Sequence, residues 1–321
     1  MEHQRSGGTR PAGRSVPRYL LGSALVFAML AGERQALTQS PPSESEQFQA
    51  NVQEVARSLQ NNPRLKKLPQ EKRENVVQFV AGNMLFTMAH ELGHAVIHEM
   101  ELSVLGREED AADDFAILRL LNVGTQVSHR VLVEAARGWF LSDRRDRHEG
   151  EKLVFYDEHG LDKQRAYQIV CLMVGSDPVK YRDLANETKL PPDRQDTCHA
   201  VDYPDVSKSW EMALKPHRRT AEQPKTKLEV VYGDGKGDLN VFAQGFRSLR
   251  LLELVGERTS DQLAWPAPFT LEMQSCGDIN ARWVSATRKL TLCYELAQDF
   301  AELYRDYNVE PAAANRKRKS K

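Results

Sequence analysis

Residues 68–100 read LPQEKRENVVQFVAGNMLFTMAHELGHAVIHEM, and this stretch restricts the fold more than any other. Pro69 suits a first helical turn, Glu71 follows it closely, and the apolar content rises toward Met84–Met88. The pattern predicts one long helix, or two joined near Gly82, with the second half buried. Inside the buried half stand His90, Glu91, Leu92, Gly93 and His94. On a helix, His90 and His94 are one turn apart, about 6 Å along the axis and on one face. Two imidazoles so placed can share one Zn²⁺, and Glu91 beside them can take a proton from an attacking water. The plainer reading is a buried helix with two satisfied histidines.

A tetrahedral catalytic site needs a third protein ligand and an open position. His98 does not serve: it lies eight residues from His90, about 12 Å up the axis, with no turn-forming glycine between His94 and His98 to fold it back. The segment Gly106–Ala116, GREEDAADDFA, offers better candidates. A helix begins there, and Glu109 and Asp113 are one turn apart on it. Glu109 is the expected third ligand, and Asp113 the acceptor that orients a ligand histidine. Ala111 and Ala112 allow this helix to approach the first closely. Glu108, Asp110 and Asp114 read as acids favoured by the dipole at a helix start.

Hydrolysis also needs a donor for the developing oxyanion. His159, in Tyr156–Gly160, is the candidate, with Asp157 or Glu158 to orient its ring; Arg165 and Tyr167 are alternatives on the next helix, and His159 also reads as a loop residue capping that helix. His129, His148, His199 and His217 stand in charged or loop contexts and read as surface residues.

The remaining pattern is mainly helical. Helices are expected over 48–59, 109–121, 127–141, 161–174 and near 205–214, with a charged surface loop at 142–152. Residues 215–227, with two prolines and no apolar periodicity, read as a linker. Beyond them LEVVYGDGKGDLNVF reads as strand, glycine turn, strand. FTLEMQSCG and ARWVSATRKLTLCYEL alternate with period two, as antiparallel strands do, and ELAQDFAELYRDY is a last amphipathic helix. The division is thus 1–36, 37–47 as a spacer, 48–214 as the catalytic region, the linker, 228–310 as a strand-rich segment completing the same fold, and a basic disordered tail at 311–321.

Charge and cysteine usage bound the setting. There are 44 Lys+Arg against 45 Asp+Glu, a formal net charge of −1, which argues against a nucleic-acid partner. Arg5, Arg10, Arg14 and Arg18 precede an apolar run over 19–32. About 14 residues rise only about 21 Å as a helix, short of the ~30 Å hydrocarbon core. This reads as a signal peptide, or as an N-terminal membrane tether where it stays uncleaved, and places the chain outside the cytoplasm, periplasmic or secreted. There four cysteines can pair. Bridges Cys171–Cys198 and Cys276–Cys293 would each close a short loop, although four cysteines leave three connectivities open.

HELGH followed by ExxADxFA resembles the Glu-zincin metallopeptidases. More closely, HELGHAVIHEM, GREEDAADDFA, DEHGLDKQRAYQIVCLMVGSDP and LPPDR resemble a bacterial metallopeptidase family of unknown function, over roughly residues 75–215. The segment CGDINARWVSATRKLTLCYEL also resembles that family, in which this block precedes HExxH; here it follows, which implies a permuted order. The resemblance implies a zincin fold and peptidase activity on a peptide or protein substrate. The expectation is therefore an α+β, zincin-like metallopeptidase, mainly helical with a small antiparallel sheet. It holds Zn²⁺ through His90, His94 and Glu109 and uses Glu91 as general base and His159 as a further catalytic group. The alternative is a zincin-fold metal-binding or interaction protein with little turnover.

Overall fold

The computed structural model of the chain describes residues 43–308. The signal-like segment 1–36 and the basic tail 311–321 lie outside the described residues. The first helix, α1 (Glu44–Ser58), starts inside the expected spacer. Ser43 and Glu46 form a capping box there: the Ser43 hydroxyl accepts from the Glu46 amide at 3.3 Å, and the Glu46 carboxylate accepts from the Ser43 amide at 2.8 Å.

Helix α2 (Gln70–Glu99) is unbroken, 30 residues and about 45 Å long. Gly82 is no hinge. A Cβ there would stand 2.7 Å from the Glu134 side chain, so its lack of one lets a neighbouring helix close in. The neighbours of α2 are α1, α3 (Glu108–Val123), α4 (Gln126–Glu149) and the C-terminal segment. That ring explains why residues all round α2, from Val76 to Ile97, are buried.

Helix α4 runs through most of the stretch expected as a charged loop. Its last turns are held by ion pairs on a polar face: Arg147 to Asp143 at 2.5 Å, and Arg145 to Asp299 at 3.0 Å. The chain then forms an open strap, 150–161, before α5 (Asp162–Ser176), α6 (Pro178–Glu187), α7 (Pro192–Thr197) and α8 (Tyr203–Leu214). A disulfide joins Cys171 of α5 to Cys198, with Cα atoms 5.3 Å apart. Residues 215–227 include a short 3₁₀ turn at Lys215–His217. They then run beside residues 262–264, where the Arg219 amide donates to Gln262 at 3.0 Å and the Ala264 amide donates to His217 at 2.8 Å.

The C-terminal segment holds β1 (Leu228–Tyr232), α9 (Asn240–Leu249), α10 (Leu251–Gln262), β2 (Phe269–Gln274), β3 (Ala281–Val284), β4 (Lys289–Cys293) and α11 (Tyr294–Tyr307). The sheet order is β1-β2-β4-β3. The expectation of an antiparallel sheet is corrected: β1 pairs with β2 and β2 with β4 in parallel, and only β3–β4 is antiparallel. The reason is the β1–β2 connection, because parallel strands need a crossover and α9 with α10 provides it. The second strand expected in LEVVYGDGKGDLNVF is therefore helix. Phe242, Ala243, Phe246 and Leu249 recur at helical spacing and are buried. A second disulfide ties Cys276 to Cys293, with Cα atoms 5.4 Å apart.

Strand β3 is one edge of the sheet and packs beside α2. Among the described residues no helix is long and apolar enough to cross a membrane.

Candidate metal centre

Helices α2 and α3 touch where Gly93 meets Ala112. A Cβ on Gly93 would lie 2.9 Å from the Ala112 Cα, so this glycine sets the approach that brings the acids of α3 over the histidines of α2. His90 Nε2 and His94 Nε2 stand 3.2 Å apart. Glu109 bridges them, with Oε2 at 3.1 Å from His90 Nε2 and Oε1 at 3.4 Å from His94 Nε2. The structure thus brings together the three expected ligands.

The far side of each ring fixes its tautomer. Asp113 Oδ1 is 2.8 Å from His90 Nδ1, and Glu108 Oε1 is 2.7 Å from His94 Nδ1. A carboxylate only accepts, so each Nδ1 carries a proton, which leaves Nε2 as the nitrogen each ring can offer to a metal. Asp113 is itself held by Arg165, whose Nε and Nη2 donate at 2.7 and 2.8 Å. The Arg165 guanidinium also stacks on Trp139, 3.8 Å from the ring centre. Burial raises the Asp113 carboxyl, but His90 and Arg165 outweigh it and bring it down to about 2.

The two Nε2 atoms and the Glu109 carboxylate crowd one point, an arrangement that a cation or protons must hold together. Glu109 Oε2 is buried between His90 Nε2 and His159 Nε2, at 3.1 and 3.0 Å, and its carboxylate is pulled far below the usual range by the three histidines around it, against the effect of burial. A metal-free chain would answer this with protons. Burial lowers His94, but Glu109 and Glu108 outweigh it and raise the ring to about 9. The donor set of imidazole nitrogens and carboxylate oxygens is the chemistry of a Zn²⁺ site, so these residues fit a metal.

Glu91 lies beside the ligands. Its Oε2 accepts the backbone N–H of Trp283, on β3, at 2.8 Å. Burial pushes the Glu91 carboxyl above its ordinary value, against the pull of His90 and His94. His159 approaches from the strap, its Nε2 3.0 Å from Glu109 Oε2, and Asp157, not Glu158, holds its Nδ1 at 3.2 Å. Tyr167 is engaged elsewhere, donating to the Thr188 carbonyl at 3.0 Å. The centre opens into a cleft of about 970 Å³ whose apolar walls include Phe86, Trp139, Leu161, Ile279 and Phe300.

Residues 45–214, more than half of the chain, match the family described as "Putative metallopeptidase". The chain belongs to that family. The match contains every residue of the centre on α2, α3 and the strap, and it ends before the strand that touches Glu91. No curated protein and no solved structure matches the chain.

Sequence reasoning missed two contributors within and beyond the family region. Glu108 is more than a helix-start charge: besides His94 it reaches His98 Nε2 at 3.2 Å, so His98 steadies the acid that orients a ligand. The Trp283 amide is a backbone group without a side-chain signature.

Asp114, the last acid of the run, faces away from the centre and accepts from Gln168 Nε2 at 2.9 Å. Burial, chiefly, raises it to about 7 from 3.8. The folded state therefore holds a proton that the unfolded state has lost, and the stability this gives is lost as pH rises from about 4 to about 7. Asp114→Asn should accordingly gain stability at pH 8, on the order of 2 kcal/mol or a few degrees of Tm. The gain should vanish below pH 4; thermal melts across that range, at fixed metal occupancy, check both.

Proposed function

We propose that the chain is an exported, zinc-dependent peptidase with a zincin-like catalytic fold to which residues 228–307 contribute the sheet. The observation that carries this reading is the convergence of His90 Nε2, His94 Nε2 and the Glu109 carboxylate at 3.1 to 3.4 Å, with Glu91 lining the same cleft. His90, His94 and Glu109 hold the metal, with Asp113 and Glu108 fixing the two rings. When bound, Zn²⁺ polarises the scissile carbonyl and acidifies the attacking water.

Glu91 takes the proton from that water and later passes it to the leaving amine. Its raised pKa suits both tasks better than that of an ordinary exposed carboxylate. His159, oriented by Asp157, donates to the developing oxyanion. The peptide lies extended along β3. The Trp283 amide points away from β4 toward Glu91, and with period two the backbone groups of Ala281 point the same way, into the cleft. A substrate strand can pair there without disturbing the sheet. Two disulfides support the extracytoplasmic setting.

The test is metal content and peptide-library cleavage by the chain from residue 37 onward. We expect one zinc per chain, cleavage, and little zinc in His94→Ala. Full metal retention in that variant rejects the site, and stoichiometric zinc without cleavage makes the chain a metal-binding protein.

A further inference from the structure

The strap 150–161 brings a third histidine into the metal-binding cluster itself. His159 Nε2 lies 3.0 Å from Glu109 Oε2, the oxygen that His90 Nε2 approaches to 3.1 Å. One ligand-capable atom from each of His90, Glu109 and His159 falls within 4.8 Å of the others. The rings of His90 and His159 lie nearly parallel, 27° apart with centres at 6.5 Å. Four nitrogen and oxygen ligands about 2.1 Å from a tetrahedral Zn²⁺ stand about 3.4 Å from one another. His159 and His90 each approach Glu109 Oε2 at about that spacing, 3.0 and 3.1 Å, as His94 approaches His90 and Glu109 Oε1 at 3.2 and 3.4 Å.

The second side of each ring repeats one pattern. His90 gives its Nδ1 to Asp113, His94 to Glu108 and His159 to Asp157. A carboxylate on the remote nitrogen is the usual partner of a metal-bound histidine, because it fixes the tautomer and makes the near nitrogen a better donor. Asp157 also accepts the His159 backbone amide at 2.9 Å, so the ring is held in this direction by its own turn.

We propose that His159 is a fourth protein ligand of the resting metal, occupying the coordination position that hydrolysis needs open. The strap then lifts His159 away before a peptide is cut, and the freed ring takes up the donor role described above. This rests on the metallopeptidase reading. Lifting is inexpensive, because the strap buries little: Leu153, Phe155 and Tyr156 are 57%, 79% and 92% exposed. Its contact with Glu109 is a main anchor. The enzyme is therefore latent at rest, and substrate must displace a ligand to enter.

X-ray absorption on the zinc-loaded full chain counts imidazoles directly. Three are expected; two overturn the proposal without any variant. In parallel, competition with a chelator should show His159→Ala binding zinc at least about 10-fold more weakly than the parent chain. The Co²⁺-substituted variant should show a changed visible spectrum as water replaces a ring nitrogen. Unchanged affinity and spectrum also overturn the proposal. His94→Ala is the control that separates the two readings. If the parent chain binds no zinc, the metallopeptidase reading fails as well; if it binds zinc through two histidines, only the fourth ligand is lost.

Discussion

Replacing Glu91 by Gln should leave zinc in place and cost at least about two orders of magnitude in turnover, the usual worth of a general base. The change is close to isosteric. The glutamine carbonyl can still accept the Trp283 amide that now lies 2.8 Å from Glu91 Oε2, so the contact between α2 and β3 survives. His90, His94 and Glu109 are untouched, and the metal count should match the parent. What disappears is a side chain that can accept a proton, and about 2.7 kcal/mol of transition-state stabilisation with it. Elemental analysis beside kcat on any peptide that the parent cleaves gives the answer. Activity surviving in Glu91→Gln would remove Glu91 from the mechanism. Loss of zinc together with activity would make it a structural group instead.

A fragment ending at Lys215 should neither melt cooperatively nor hold zinc. The family match ends just before that point, so the family region alone would seem sufficient. The packing says otherwise. Phe79 of α2 is fully buried against Tyr304 and Phe300 of α11, with ring centres 4.9 and 6.3 Å away. Asn62 meets Gln298, and Arg145 of α4 meets Asp299. Strand β3 covers the α2 face that carries Glu91. Each large side chain so uncovered forfeits about 1.5–3 kcal/mol, and a handful exceeds the ~5–15 kcal/mol that keeps a domain folded. Calorimetry and zinc content of the 37–215 fragment decide it. A stable, zinc-loaded fragment would make residues 228–307 an accessory.

The meeting of His90, His94 and Glu109 was legible because most of its pattern is local. HELGH and the Glu109–Asp113 pair need only helical spacing, and the tetrad of helices around them follows from apolar periodicity. Glu108 was not legible. Three acids fill the first turn of α3, all are equally favoured by its dipole, and which one reaches His94 depends on how closely α3 crosses α2 at Gly93 and Ala112. The sheet was misread for a related reason. Alternation in LEVVY and FTLEMQ marks strands but carries no direction, and for that pair direction came from the α9–α10 crossover. The last turns of α4 depend on Asp299, more than 150 residues away, and a window of charged residues cannot reveal that partner. The capping box at Ser43 and Glu46 was in plain view, and serine- and proline-rich composition masked it.

The hydrogen bond from Trp283 to Glu91 spans 192 residues of chain. Its lateness in sequence orders events in time. While the chain is being made, HELGH emerges long before the strand that will face it, and a contact of such separation is among the slowest to close. Until then α2 lacks a wall, the edge along which a peptide would lie does not exist, and Glu91 is solvated like any surface acid. On the peptidase reading, the site is then whole only once the C-terminal segment has closed on α2, and the topology itself would guard against premature cutting.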